Sequence, residues 1–205
     1  MTFRFGGSFG NRQRAMRNDY VFVWRSREPD DEPIFRDLAW DFEEPDRYAA
    51  RVAGHKPGMM ASKGERAFHA AVASGDPSSM LRVAGQHPKY KVPARAIAGL
   101  LLLESELDRG ISLLEEAVDG GTDVGDDDFV RRYLAEAGLT VVIAAGVVVH
   151  LPLQRNSLVL LLAELHQARG EADRALHLLE GAEPTTHMRL SRTELLYETD
   201  QFDEV

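Results

Sequence analysis

The sequence predicts a mainly α-helical protein built as an array of helix-turn-helix units. The first observation is an internal repeat, because Ser105–Ala117 (SELDRGISLLEEA) returns 65 residues later at Gly170–Ala182 (GEADRALHLLEGA) with seven of thirteen positions identical. Apolar residues in both stretches recur at spacings of three and four, which is typical of a helix that buries one face. Residues that favour turns recur at intervals of 30, 33, 32 and 30, at Gly75, Ser105, Gly138, Gly170 and Asp200. These intervals predict about five units.

Composition narrows the class of protein. The chain has 205 residues, 44% hydrophobic and 28% charged, as is ordinary for a globular protein. It has no cysteine, which excludes disulfides and thiolate metal sites. Its longest apolar run, Leu139–Val149, is shorter than the roughly 20 residues that a membrane span needs. We therefore expect no membrane-spanning helix and a cytoplasmic location. A net charge of −9 argues against general nucleic-acid binding.

Residues 1–60 are predicted to form an irregular N-terminal extension. Residues 1–18 are rich in Gly and Arg and predict a mobile tail, Tyr20–Trp24 predicts a short strand, and Pro45–Val52 predicts a short helix. Residues 1–27 hold six Arg and one Asp, whereas residues 28–44 hold eight carboxylates and one Arg. Solvated or locally neutralised charge is the favoured interpretation, and an arm for an anionic partner is the alternative.

The repeat domain, residues 61–205, begins with clear helix signals. Ser62 with Glu65 three residues later predicts an N-cap and capping box, and Gly75-Asp76-Pro77 predicts the first turn. Further helices are expected over 78–85, from Pro93, and over 107–118, the last closed by a left-handed cap at Gly120-Gly121. Asp126–Asp128 lacks the spacing of a calcium loop, so it predicts the cap of a helix over 129–137.

Residues 139–153 break the helical pattern. The stretch LTVVIAAGVVVHLPL is β-branched on both sides of Ala145-Gly146 and ends at a proline. Two short apolar runs around a glycine-containing turn favour a β-hairpin inserted into the third unit. A short buried helix is the alternative, since periodicity does not separate the two in a run that is apolar throughout.

Helical spacing resumes after the predicted hairpin. Helices are expected over 153–169, 172–182 and 187–199, with Pro184 ending the second of them. After Asp200, residues 201–205 predict a helix that the sequence does not complete. An incomplete terminal repeat exposes apolar surface, so we expect self-association through this end. Whether the native chain continues past Val205 is left open.

The unit around the second copy of the repeat resembles the tetratricopeptide repeat (TPR), whose period is 34 residues. The matching positions of its first helix, turn and second helix are Leu162, Ala163, Gly170, Ala175, Leu179 and Ala182. The resemblance covers about residues 61–205 and departs from the pattern at Val159 and His166, where the family has Trp and Tyr. The sequences of residues 58–64 and 183–187 resemble those of actinobacterial repeat proteins of unassigned function. The composition of the whole chain, with twenty Arg and four Lys, is consistent with that group.

The resemblance implies a superhelix whose first helices line a concave, partner-binding face. Such a face would bind a peptide or partner protein and, by repeat register, would present Glu65, His69, Arg95, Arg132, Glu164, Gln167, Glu194 and Tyr197. The Lys and Asn cluster of chaperone-tail-binding members has no counterpart. We therefore expect a non-catalytic protein-interaction scaffold, with merely exposed polar positions as the alternative for each residue.

Sequence motifs for catalysis are weak. The seven histidines lack the spacing of a metal site, and neither a GxSxG nor a phosphate-binding loop is present. His166 and His177 are expected to be buried packing residues, and Glu115-Glu116 to lie on a solvent face. We expect no enzyme activity and no cofactor. A regulatory domain with an enclosed ligand pocket near 139–153 is the alternative, and nucleic-acid contact through residues 1–18 is a weaker one.

Overall fold

The computed structural model describes residues 23–24, 52–134, 137–144 and 147–199. The predicted tail over 1–18 and the predicted C-terminal helix over 201–205 lie outside the described residues, as does most of the predicted helix over 45–52. The described part is mainly helical and includes a small antiparallel sheet. Residues 52–54 are helical and lead into the repeat domain.

Four helices form the first half of the described repeat domain. They are α1 (Lys63–Ser74), α2 (Pro77–Gln86), α3 (Lys91–Leu102) and α4 (Leu107–Val118), with a 3₁₀ turn at Pro88–Tyr90. Ser62 caps α1 as predicted, accepting a hydrogen bond from the Glu65 amide at 3.0 Å. Gly75 ends α1 in the left-handed region, with φ of 65°, where a side chain would be strained.

The second half contains a short helix, a hairpin and three more helices. A 3₁₀ turn (Val124–Asp126) precedes α5 (Asp128–Tyr133), whose N-cap is Asp127. The strands β2 (Gly138–Ala144) and β3 (Val147–Pro152) follow, and then α6 (Arg155–Ala168), α7 (Ala172–Glu180) and α8 (Thr186–Glu198). Asp127 accepts hydrogen bonds from the amides of Phe129 and Val130, which confirms that the acidic run is a helix cap.

The predicted hairpin is confirmed. The strands β2 and β3 pair antiparallel, with Val141 opposite Val149 and an irregularity between Val142 and Ala144. A two-residue strand, β1 (Val23–Trp24), pairs with the other edge of β3, so part of the predicted N-terminal strand is present. One face of the hairpin is buried, and it consists of Leu139, Val141, Ile143, Val147, Val149 and Leu151.

Helices adjacent in sequence pack together through α1, α2, α3 and α4. Helix α4 then packs directly against α6, and α6, α7 and α8 contact one another. Residues 119–154 therefore form an insertion between two neighbouring helix pairs. The predicted inter-helix turn at Gly138 was wrong, because Gly138 begins β2, and the helix expected over 129–137 already ends at Tyr133.

The insertion lies against α1, α3, α6 and α8. Its strand β2 packs on α6 and α8, and its 3₁₀ turn contacts α3. Its helix α5 reaches α1, where the ring of Phe129 lies 4.3 Å from that of Phe68. Because the buried face of the hairpin and these aromatic rings exclude water, the insertion forms part of one continuous core.

Candidate functional site

Three of the predicted partner-binding residues, Glu65, His69 and Arg132, meet where α5 crosses α1. The Glu65 carboxylate accepts hydrogen bonds from Arg132 at 2.6 Å and from the Tyr133 hydroxyl at 2.8 Å. Burial raises the pKa of the Tyr133 phenol. The carboxylate of Glu65 thus binds the insertion. Ser62 is the N-cap of α1 as predicted, whereas the Glu65 side chain, predicted to complete the capping box, bonds to Arg132 and Tyr133.

His69 is buried beneath the same crossing. Its Nε2 lies 2.8 Å from the carbonyl oxygen of Val52 and 2.9 Å from that of His55, so this nitrogen carries the proton and donates it. The His69 ring packs edge-on against Tyr133, with 5.1 Å between ring centroids. His69 therefore joins residues 52–55, α1 and α5 and is not part of an exposed face, which corrects its predicted placement.

The remaining predicted partner-binding residues lie in α3, α6 and α8 and do not form one exposed face. Glu164 is buried in α6, which corrects its predicted exposure. Gln167 donates a hydrogen bond to Glu198, linking α6 to α8. Glu194 is half-buried in α8, and Tyr197 is exposed near its end. Arg95 lies in α3 and forms an ion pair with Glu116 of α4 at 2.9 Å, apart from the cluster around Glu65.

The two adjacent glutamates of α4 have different environments. Glu116 is half-exposed, whereas the Glu115 side chain is 21% exposed and accepts hydrogen bonds from His166 and Arg174. His166 is fully buried in α6 and contacts a carboxylate at each ring nitrogen, Glu115 at 3.1 Å and Glu171 at 2.6 Å. Both nitrogens donate when the imidazole is doubly protonated. The predicted solvent exposure of Glu115 was wrong.

This network explains several repeated charges of the sequence. Arg174 of the second copy bonds to Glu115 of the first copy at 2.5 Å. Asp108 of the first copy bonds to Arg169, which lies just before the second copy. Glu180, which aligns with Glu115, is 3.4 Å from Arg192 of α8. The repeated charges therefore connect one helix pair to the next, and His177, expected to be buried, is exposed.

An open groove lies between α2, α3 and α4. Its volume is about 470 Å³, within the range of roughly 300–1,000 Å³ common for ligand sites. The floor is apolar and the rim polar, and the lining consists of Leu81, Ala84, Gly85, Lys91, Arg95, Arg109, Ser112, Leu113 and Glu116. None of these residues belongs to the insertion, so this groove is not the enclosed pocket expected near residues 139–153.

The charge of the groove differs from that of the whole chain. Three cations and one carboxylate line it, and Glu106, which pairs with Arg109, reduces the local excess to one positive charge on a protein of net charge −9. Arg95 pairs with Glu116, and Arg109 pairs with Glu106 at 3.0 Å outside the lining. Lys91 is exposed and has no ion pair with any residue that the structure describes. The groove therefore presents positive charge above an apolar floor.

No family model, curated protein or solved structure gives a significant match to this chain. The resemblance to tetratricopeptide repeats consequently stays a prediction. Within the described ranges, no helix is long and apolar enough to cross a membrane. The same part of the chain contains no group of three or more His, Cys, Asp or Glu residues arranged to hold a metal ion.

Sequence reasoning missed most of the groove. It selected Arg95 by repeat register but not Lys91, four residues earlier in the same helix, or Arg109, which comes from α4 and shares no spacing with the other two. It also missed Tyr133 and the role of His166. Glu115 is repeated as Glu180, and Arg109 is repeated as Arg174. This repetition of charged residues was the available signal for contacts between helix pairs.

Proposed function

We propose that this protein is a non-catalytic interaction scaffold whose helix pairs form a TPR-like array, interrupted by the insertion. The proposal rests on the sequence repeat and on the direct packing of α4 against α6, which places the two helix pairs that contain the repeat side by side, and Arg174 of the second copy bonds to Glu115 of the first. A close contact between helices at the position aligned with Ala175, one of the matching TPR positions, supports it as well. Gly110, which aligns with Ala175, approaches Gly99 so closely that an added Cβ would lie 2.9 Å from the Gly99 carbonyl oxygen.

We further propose that a segment of a protein partner binds in the groove between α2, α3 and α4. The observation that carries this proposal is the groove itself, which combines an apolar floor with charged groups at its rim. The first helices are a less favourable surface, because the insertion already contacts all four of them and uses Glu65, Arg132 and Tyr133 to do so.

The test compares two charge reversals of equal size on the two surfaces. Arg95→Glu changes the groove, and Arg132→Glu changes the crossing of α5 over α1; each places a second carboxylate beside the original partner. A photo-crosslinking residue at Ser112 should give a discrete protein adduct in cells. We expect Arg95→Glu to abolish the adduct and Arg132→Glu to leave it unchanged.

Two results would contradict the groove as the binding site. One is loss of the adduct in Arg132→Glu but not in Arg95→Glu. The other is the same adduct from a crosslinker at the exposed Asp173 of α7, which lies outside the groove lining. Circular dichroism of both variants checks that each keeps its helical content.

The regulatory small-ligand domain is a second candidate. The volume of the groove would also suit a metabolite. Thermal-shift screening of the full chain against metabolites and nucleotides tests it: a rise in melting temperature that Arg95→Glu removes would favour this function over a scaffold. No shift across the library would reject it.

A further inference from the structure

We infer that the groove between α2, α3 and α4 binds an acidic, extended peptide segment whose main chain passes close to Gly85. This inference rests on the proposed function and specifies the chemistry of the partner. Two independent observations carry it: the sign of the charge around the groove, and a glycine in its wall that the fold itself does not require.

The charge favours carboxylates as the ligand groups. Lys91 is the exposed cation of the groove without an ion pair to the described residues, and Arg109, also in the lining, is half-exposed and paired with Glu106 through one of its donors. The arginine side chain offers planar, paired donors that match a carboxylate. With Glu106 counted beside the lining residues, a short peptide bearing Asp or Glu would meet a local excess of one positive charge there, carried by Lys91.

A nucleic acid is a poorer match to the same cations. It would bring many phosphates close to a chain of net charge −9, and the repulsion would extend over a distance of about 10 Å at moderate salt. A short peptide brings only a few charges and can place apolar or small side chains on the floor formed by Leu81, Ala84 and Leu113. The peptide is therefore the occupant that fits both the rim and the floor.

Gly85 is the second observation. It lies in the last turn of α2, before the C-cap residue His87, and its φ is not in the left-handed region that would require glycine. A Cβ built at this position would have no atom within 4 Å. Glycine inside a helix is less stable than alanine. Since neither packing nor backbone conformation accounts for it, close approach of a ligand backbone gives the residue a role.

The experiment measures binding of fluorescein-labelled peptides to the full chain by fluorescence anisotropy. The probes are an acidic peptide of about ten residues alternating Asp or Glu with Gly and Ala, its Asn and Gln counterpart, and a single-stranded RNA of similar length. We expect the acidic peptide to bind at low salt, more weakly at high salt, and the neutral peptide to bind at least about tenfold more weakly.

Matched variants locate the binding. Lys91→Glu should weaken the acidic peptide about tenfold, whereas Lys89→Glu, the same charge change two residues away and outside the groove lining, should not. Gly85→Gln should abolish binding by filling the groove. Gly85→Ala should leave the melting temperature unchanged or raise it, which shows that the glycine is not needed for folding.

The outcomes separate this inference from the proposed function. Equal binding of acidic and neutral peptides, preference for the RNA, equal effects of Lys89→Glu and Lys91→Glu, or unchanged binding in Gly85→Gln would each overturn the inference. Absence of acidic-peptide binding together with a Ser112 adduct that depends on Arg95 would overturn the inference and leave the scaffold standing. Absence of that adduct together with specific peptide binding would instead reject the proposed cellular function.

Discussion

Glu115→Ala should destabilise the protein much more than the same substitution at the adjacent Glu116. Glu115 accepts the hydrogen bond from the Nε2 of His166, which is 1% exposed, and it also binds Arg174. Without Glu115, a buried N–H group of His166 loses this acceptor. Glu116 binds only the half-exposed rim of the groove, through Arg95.

The magnitude follows from these environments. A buried donor left without an acceptor costs about 1–3 kcal/mol, and an exposed ion pair such as that with Arg174 contributes about 0–1 kcal/mol. We therefore expect Glu115→Ala to lower the free energy of unfolding by about 2–3 kcal/mol, and Glu116→Ala by less than about 1 kcal/mol. Helix propensity changes equally in the two variants, because both replace Glu by Ala within α4.

The assay is urea unfolding of the full chain followed by circular dichroism, with melting temperature as a second measurement. For a chain of this size each kcal/mol corresponds to about 2–4 °C, so Glu115→Ala should melt about 4–12 °C below the parent protein. A double-mutant cycle with His166→Leu should show coupling. Equal losses of stability in Glu115→Ala and Glu116→Ala, or additive effects in the cycle, would refute the reasoning.

Three further predictions concern the helices and acid stability. Gly99→Ala should destabilise the protein by about 1–3 kcal/mol in urea unfolding, because its Cβ would lie 3.0 Å from the Gly110 carbonyl oxygen of α4; a gain in stability would contradict this close crossing. Asp127→Ala should cost about 1 kcal/mol through loss of the α5 N-cap, and Asp126→Ala less than about 0.5 kcal/mol; equal costs would argue against the cap. The hydrogen bond from His166 lowers the pKa of Glu171 below its ordinary value of 4.5, so the stability it contributes is complete above pH 4.5 and is lost as the pH falls below that value. Glu171→Gln should therefore flatten acid unfolding in that range, and an unchanged pH profile would oppose the assignment.

Local structure could be predicted from the sequence to a large extent. The cap at Ser62, the turns at Gly75 and Gly170, the left-handed glycine at Gly121 and the helix cap at Asp126–Asp128 depend on neighbouring residues alone. The hairpin could also be recognised, since β-branched residues on both sides of a glycine oppose a helix. These features need only short-range interactions, which the order of residues expresses directly.

The error at Gly138 has a physical cause. Its spacing from the other turns matched an inter-helix turn, yet the residue lies in β2, where an added Cβ would be 2.8 Å from the Leu151 carbonyl oxygen. Close pairing of strands and a tight turn both favour glycine. Spacing alone did not distinguish them.

The sequence by itself determined the helices, their caps, the hairpin and the internal repeat, because each follows from local conformation and from the period of apolar residues. Only the tertiary structure decided that α4 meets α6, that the insertion lies on α1, α3, α6 and α8, and that Lys91, Arg95 and Arg109 surround one groove. Those contacts join residues distant in sequence, and apolar burial constrains them without specifying which polar side chains meet. Glu115 and Glu116 illustrate the difference: they are adjacent and identical in sequence, but only Glu115 reaches a buried histidine.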